Sequence, residues 1–160
     1  MIIRNYNHTN EYPSGSVWNI IKTICEDVEQ SENLPSQREF VKFLRESGWD
    51  EKVRIGEFSN HSIDGILERV GVCVYFGHSK AAFQKLMALQ SLYLDRQIKE
   101  CYYITQSEEV AQFRHRSANP KAREGTDGNR ITFEKLTSGM DYYSRFIEVP
   151  MTIIGIEMNV

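Results

Sequence analysis

The stretch "VPMTIIGIE", residues 149–157, is almost continuously apolar, and it restricts the fold more than any other part of the sequence. A strand with one solvated face alternates apolar and polar residues, whereas a nearly all-apolar run is typical of a strand buried on both faces. Such a strand lies inside a sheet that other elements cover on both sides. The sequence therefore predicts that this segment is a core strand.

Two further segments have the features of strands. In residues 70–76, Val70, Val72, Val74 and Phe76 alternate with smaller or more polar residues, which is strand spacing. The segment "CYYIT", residues 101–105, is the second strand candidate. We expect 70–76, 101–105 and 151–156 to form the core of a mixed central sheet.

Helical spacing of apolar residues predicts one helix over residues 16–30 and another that includes residues 83–93. Between them, Ser36 and Glu39 form a Ser-x-x-Glu capping box, which pairs side chains with unsatisfied backbone donors and starts a helix. The predicted buried face of that helix contains Phe40, Phe43 and Leu44. Helices and strands together indicate an α/β fold, which we expect to form one domain over residues 1–160.

Composition limits the possible partners and the cellular setting. The 160 residues are 41% hydrophobic, enough for one domain with a substantial core. The formal net charge of −3 means that any nucleic-acid surface must be a local basic patch. Three cysteines without a C-x-x-C pair indicate reduced thiols. The sequence lacks a long apolar span and a signal pattern, so we expect a cytoplasmic protein without a membrane partner.

Three pieces of the chain resemble the PD-(D/E)xK restriction endonucleases, and most closely the BglII and BstYI group. They are "IDGILERVGVCVYFGHSKAAF", "DRQIKECYYITQSEEVAQ" and "ITFEKL…SRFIEVPMTIIGIE". In that group the matching pieces contain a catalytic acid on a strand, an E-x-K/Q strand that leads into a helix, and a closing "V-P-L-x-I-x-G-I" strand. The resemblance implies a restriction-endonuclease-like mixed sheet flanked by helices. It also implies a homodimer on double-stranded DNA and a magnesium cofactor in active members.

The same resemblance locates the active-site positions, and two of the three are altered. Asp64 has the position of the first acid, Cys73 replaces the glutamate, and Tyr75 replaces the lysine or glutamine. Magnesium requires oxygen ligands, whereas a thiolate is a soft ligand and a phenol is a poor base at neutral pH. Residues 73 and 75 share one strand face, so both losses affect the same place. We therefore expect an impaired or inactive nuclease with no cofactor, or with Mg²⁺ if it is active.

Each of these positions also has a simpler interpretation. Asp64 is equally well explained as an acid at a turn, and Cys73 is better explained as a small buried hydrophobic residue than as a ligand. The capping box accounts for Glu39. A soft-metal site of Asp64, Cys73 and His78 is the remaining metal hypothesis, although the three residues lack regular zinc-site spacing. Asp64 is the one position that we retain as a candidate metal ligand.

Positive charge is concentrated in residues 113–130, where five basic and two acidic residues give a local charge of +3. Pro120, Gly125 and Gly128 favour an exposed loop. Arginines in such a loop can hold phosphates or bind guanine edges, and a solvated loop or a protein-docking surface explains the charge nearly as well. The candidate DNA-binding residues are Arg114, Arg116, Lys121, Arg123 and Arg130.

Three functions are consistent with these features. The first is a non-catalytic nuclease-fold protein that binds duplex DNA or a partner subunit. The second is an active magnesium-dependent endodeoxyribonuclease with an atypical site around Asp64. The third is a protein-interaction subunit or decoy of a nuclease system.

Overall fold

The computed structural model describes residues 1–6, 15–31, 33–56, 59–118 and 129–158. Within these ranges the chain forms seven strands and five helices. The strands are β1 (Ile2–Tyr6), β2 (Val53–Arg54), β3 (Ser62–Ile63), β4 (Gly65–Leu67), β5 (Val70–Val74), β6 (Glu100–Gln106) and β7 (Met151–Ile156). The helices are α1 (Ser16–Gln30), α2 (Gln37–Glu46), α3 (Ser79–Leu94), α4 (Glu108–Ala118) and α5 (Phe133–Tyr143).

The central sheet has five strands in the order β1-β7-β6-β5-β4. Strands β5, β6 and β7 are parallel, while β1 and β4 are antiparallel to their neighbours at the two edges. A separate antiparallel pair joins β2 to β3. The three core strands expected from the sequence are confirmed in consecutive central positions, although β5 ends at Val74, two residues before the predicted bound. All six residues of β7 are buried, as the apolar run at 151–156 predicts.

Helices cover both faces of this sheet. On one face, Val70, Val72 and Val74 of β5 pack with the buried side chains of α1 and α2. On the other face, Cys73 of β5 packs with buried residues of α3 and α5. The strand alternation therefore separates two hydrophobic cores, and Cys73 belongs to the core beneath α3.

Helices α1 and α2 confirm most of what the sequence indicates. Helix α1 has the predicted bounds, and α2 starts at the capping box, where the Glu39 N–H donates to Ser36 Oγ and the Ser36 N–H donates to the Glu39 carboxylate. One residue differs from the prediction, because Phe43 is 39% exposed. The buried stripe of this short helix is only as wide as Phe40 and Leu44, and Phe43 lies beside it.

The predicted loop over 113–130 is wrong in its first part, because α4 continues to Ala118. Glu108 and Glu109 occupy the first turn of this helix, where carboxylates interact favourably with the helix dipole. His115 and Arg116 occupy its last turn. The glycines and proline that favour a loop come after residue 118. Lys121 and Arg123 lie outside the described residues.

Candidate functional site

Asp64 lies between β3 and β4, beside the carboxyl-terminal half of the central strand β5. Its backbone N–H donates to the Val72 carbonyl at 2.9 Å, and its Oδ2 accepts from the Val74 N–H at 2.8 Å. The next residue, Gly65, is so close to another segment that a Cβ there would lie 2.8 Å from the Asp50 carbonyl oxygen. The two hydrogen bonds to Val72 and Val74 hold Asp64 and its carboxylate against β5.

Cys73 lies on the face of β5 that α3 covers, and Tyr75, the first residue after this strand, packs against the same core, as strand spacing predicts. The Cys73 side chain is fully buried and hydrogen-bonds to Asp64. Burial, and then the negative charge of Asp64, raise the pKa of the Cys73 thiol well above its ordinary value. Tyr75 is half-buried, and its phenol hydroxyl lies 2.5 Å from where a Cβ on Gly77 would be. Cys73 is therefore a protonated core residue, while the Tyr75 ring lies over Gly77.

Two cations that no sequence motif indicates act on Asp64. Lys85 of α3 is partly buried and donates from Nζ to the Ser62 carbonyl at 2.6 Å. Arg45 of α2 donates to the Asp50 carbonyl at 3.2 Å. Burial raises the pKa of Asp64, and the Val74 hydrogen bond, Lys85, Cys73 and Arg45 oppose that rise. The effect of burial is the larger, so the pKa of Asp64 lies above its ordinary value despite these favourable partners.

The side chains around Asp64 do not form a set of ligands that fits a magnesium ion. Magnesium prefers several oxygen ligands in octahedral geometry, and paired carboxylates usually anchor it. Here Asp64 supplies one carboxylate, which already accepts from Val74 N–H and Cys73, and Lys85 places a positive charge nearby. Among the described residues, no group of three histidine, cysteine or acidic side chains could hold a metal. The soft-metal hypothesis, which joined His78 to this site, is therefore wrong.

The other candidates have separate positions. His78 is exposed at the start of α3, and its backbone forms an isolated antiparallel bridge with Arg130. Glu39 is exposed and bonded within the capping box. Arg116 is exposed in the last turn of α4.

Arg114 belongs to the described part of the predicted basic surface, yet it makes intramolecular contacts. Its guanidinium carbon lies 4.6 Å from the centre of the Phe76 ring, and Nη2 donates to the Pro35 carbonyl at 2.6 Å. Burial and the charge of Arg130 lower its pKa, and Glu39 opposes that change. Arg114 therefore links helix α4 to Phe76, which follows β5, and to Pro35, which precedes α2.

The structure brings Asp64, Cys73 and Tyr75 into one region and adds Lys85 to it. Lys85 lies 21 residues after Asp64, and no spacing rule of the family motif points to it. The available signal is its position on α3, one residue before buried Leu86 and three after buried Ala82. A charged residue beside a buried helical stripe suggests a buried partner.

Comparisons with known proteins establish the family. The family model for restriction endonuclease BglII/BglIII matches residues 17–156. The chain belongs to this family. A crystal structure of restriction endonuclease BglII complexed with a DNA 16-mer has the same fold, with a TM-score of 0.73 and 14% identity over 99% of this chain and 76% of that chain. No curated protein matches the chain.

Membership in the BglII/BglIII family and this structural likeness confirm the restriction-endonuclease-like mixed sheet flanked by helices. Within the described ranges, no helix has the length and apolar character needed to cross a membrane. The roles of Asp64, Cys73 and Tyr75, and of the five basic residues, remain predictions.

Proposed function

We propose that this chain is a DNA-binding member of the BglII/BglIII family that does not cleave DNA. The observation that supports this most directly is the state of Asp64, whose carboxylate accepts from the Val74 N–H and from Cys73 and is stabilised by the charge of Lys85. Cys73 and Tyr75 do not supply the second carboxylate or the base that metal-assisted hydrolysis requires. On this proposal the protein needs no cofactor; Mg²⁺ belongs to the alternative of an active enzyme.

A plasmid assay tests the catalytic half of the proposal. Supercoiled DNA incubated with the protein and Mg²⁺ or Mn²⁺ should remain supercoiled, because no water is activated at Asp64. The matched control is an Asp64→Asn variant, which keeps the size of the side chain and removes its charge. Nicking by the unaltered protein that disappears in the Asp64→Asn variant would establish the alternative of an active endodeoxyribonuclease.

The DNA-binding half rests on family membership and on the charge of residues 113–130, which is +3 in a chain of net charge −3. Local positive charge of this kind attracts phosphates even when the whole molecule is acidic. Arg114 makes intramolecular contacts with Phe76 and Pro35, so its replacement would alter folding and DNA binding together. Arg116, Lys121 and Arg123 are better test positions.

Gel-shift titrations at several salt concentrations test this half. Replacing Arg116, Lys121 and Arg123 together by alanine should weaken duplex binding and flatten the salt slope by roughly three units, about one for each phosphate contact. The matched control removes three exposed lysines from other parts of the chain, Lys22, Lys42 and Lys99. We expect that control to change the slope far less.

A homodimer is the assembly that we propose for DNA binding, since two-fold symmetry matches palindromic DNA. Exposed apolar side chains of α3 and of the end of α5 support it. The Phe83 and Tyr143 rings lie 4.8 Å apart, centre to centre, and join the two helices. Met87, one turn after Phe83 on α3, is 46% exposed, and Tyr142 and Phe146, which are close to Tyr143 along the chain, are 78% and 71% exposed. Neighbouring exposed apolar side chains are typical of protein interfaces.

A protein partner is the second candidate for the basic segment. An acidic partner would be expected there because complementary charge steers association. The triple alanine variant then separates the two outcomes: it abolishes co-purification with the partner and leaves the DNA salt slope unchanged.

Three buried free thiols, Cys25, Cys73 and Cys101, agree with a reducing compartment, and we propose the cytoplasm.

A further inference from the structure

The Asp64 region contains a compensated charge rather than an isolated one. A carboxylate held out of water without a counter-charge is strongly unfavourable. Asp64 is partly buried, and its hydrogen-bond donors, the Val74 N–H and Cys73, supply dipoles but no positive charge. The site therefore needs a cation, and in active nucleases of this fold a divalent metal supplies that charge.

Lys85 is positioned to supply it from within the chain. Its Nζ is 2.6 Å from the Ser62 carbonyl, two residues before Asp64, and this bond fixes the ammonium beside the β3–β4 turn. Helix α3 covers the face of β5 that carries Cys73, so the lysine approaches from the same side as the thiol. Both the Asp64 carboxylate and the Cys73 thiol feel its positive charge. Arg45 contributes from α2 but has the weakest effect on Asp64 of the partners.

We infer that the Lys85 ammonium is the resident cation of the Asp64 site, and that it takes the electrostatic role of the divalent metal which these residues cannot bind. Lys85 donates to the Ser62 carbonyl, and its charge acts on the Asp64 carboxylate two residues further along the chain. An ammonium group needs only a few hydrogen-bond acceptors, whereas magnesium needs a nearly complete octahedron of oxygens. The inference rests on the proposal that this family member lacks a catalytic metal site.

A thermodynamic cycle on thermal unfolding tests the pairing. Lys85→Met keeps the apolar stem and the helix propensity while removing the charge. In the unaltered background it should lower Tm by roughly 5 °C, because it leaves a partly buried carboxylate without its cation. In the Asp64→Asn background the same substitution should lower Tm by less than half as much.

Lys80→Met is the matched control, since Lys80 is exposed on the same helix. It should leave Tm within about 1 °C in both backgrounds. Equal losses from Lys85→Met in the two backgrounds would overturn the pairing, even if the protein cleaves no DNA. Cleavage by the unaltered protein in the plasmid assay would instead contradict the proposed function, so the two failures are distinguishable.

Calorimetric titration with Mn²⁺ tests the replacement of the metal. Cys73→Glu restores a second carboxylate, and the inference predicts that Lys85 neutralises it. The combination of Cys73→Glu with Lys85→Met should therefore bind Mn²⁺ at least tenfold more tightly than Cys73→Glu alone. Equal affinity in the two variants, or no binding by either, contradicts the inference. If the glutamate prevents folding, as circular dichroism would reveal, the unfolding cycle decides by itself.

Discussion

At the scale of single residues, Arg114 shows how one side chain can be explained by charge or by packing. The sequence places it in a basic segment, and the structure places its guanidinium over Phe76 with a 2.6 Å bond to the Pro35 carbonyl. Because the group is partly buried, these contacts contribute more than surface contacts do. We predict that Arg114→Ala lowers the free energy of unfolding by about 2 kcal/mol.

Urea unfolding with Arg116→Ala as the control measures this loss, since Arg116 is exposed two residues further along α4. Arg114→Lys should recover little stability, because an ammonium lacks the planar face that stacks on an aromatic ring. A loss equal to that of the Arg116 variant would contradict the prediction.

At the scale of elements, the start of α2 is fixed by the capping box. The Glu39 carboxylate accepts from the Ser36 N–H at 2.8 Å and from the Ser36 hydroxyl at 2.7 Å, and these bonds lower its pKa. Ser36→Ala should lower Tm by roughly 2–4 °C at neutral pH. Ser47→Ala, at the other end of the helix, should change Tm much less.

The pH dependence of this effect follows from the lowered pKa of Glu39. A carboxyl whose pKa is depressed by folding stabilises the native state above its unfolded pKa, and this stabilisation is lost as pH falls through the folded pKa. Thermal unfolding between neutral and acidic pH should show the Ser36→Ala penalty shrinking in acid. A penalty that stays constant would mean that the ionised carboxylate contributes nothing to the cap.

Helices and strands whose apolar residues recur with a clear period could be predicted from the sequence, and those with a weak apolar pattern could not. The apolar runs of β5, β6 and β7 and the stripe of α1 are apparent in the sequence because their burial is wide. Helix α4 buries only Val110 and Ala111, so its hydrophobic pattern is too weak to oppose the proline and glycines that predict a loop over 113–130. Strand β1 is an edge strand with two exposed residues, and its place is set by pairing with β7.

Some residues of the candidate site could likewise be predicted from the sequence, and others could not. The resemblance to the family indicates the positions of Asp64, Cys73 and Tyr75, and strand spacing places residues 73 and 75 on one side. Lys85 could not be predicted, since its proximity to Asp64 depends on how α3 crosses β5, and that crossing is a tertiary property. Tertiary packing also decides that Arg114 contacts Phe76 rather than solvent.

At the scale of the whole molecule, the sheet separates two surfaces with different characters. One face is closed by α1 and α2, and the other carries α3 and α5 with exposed aromatic side chains at the end of α5. If these side chains form the proposed dimer interface, two chains would present two basic segments to one duplex. Symmetric DNA binding then depends on a patch distinct from the Asp64 site.

The combined change Tyr142→Ser and Phe146→Ser should convert this dimer into a monomer, since both side chains are more than two-thirds exposed and contribute little to the fold of one chain. Light scattering after size exclusion measures the mass, and gel shifts count the protomers on each duplex. Leu94→Ser is the control, because Leu94 is 61% exposed at the far end of α3, beyond the aromatic patch. We expect it to leave the dimer intact. An unaltered protein that is monomeric at every concentration, and binds duplex DNA as one copy, would contradict the proposed assembly.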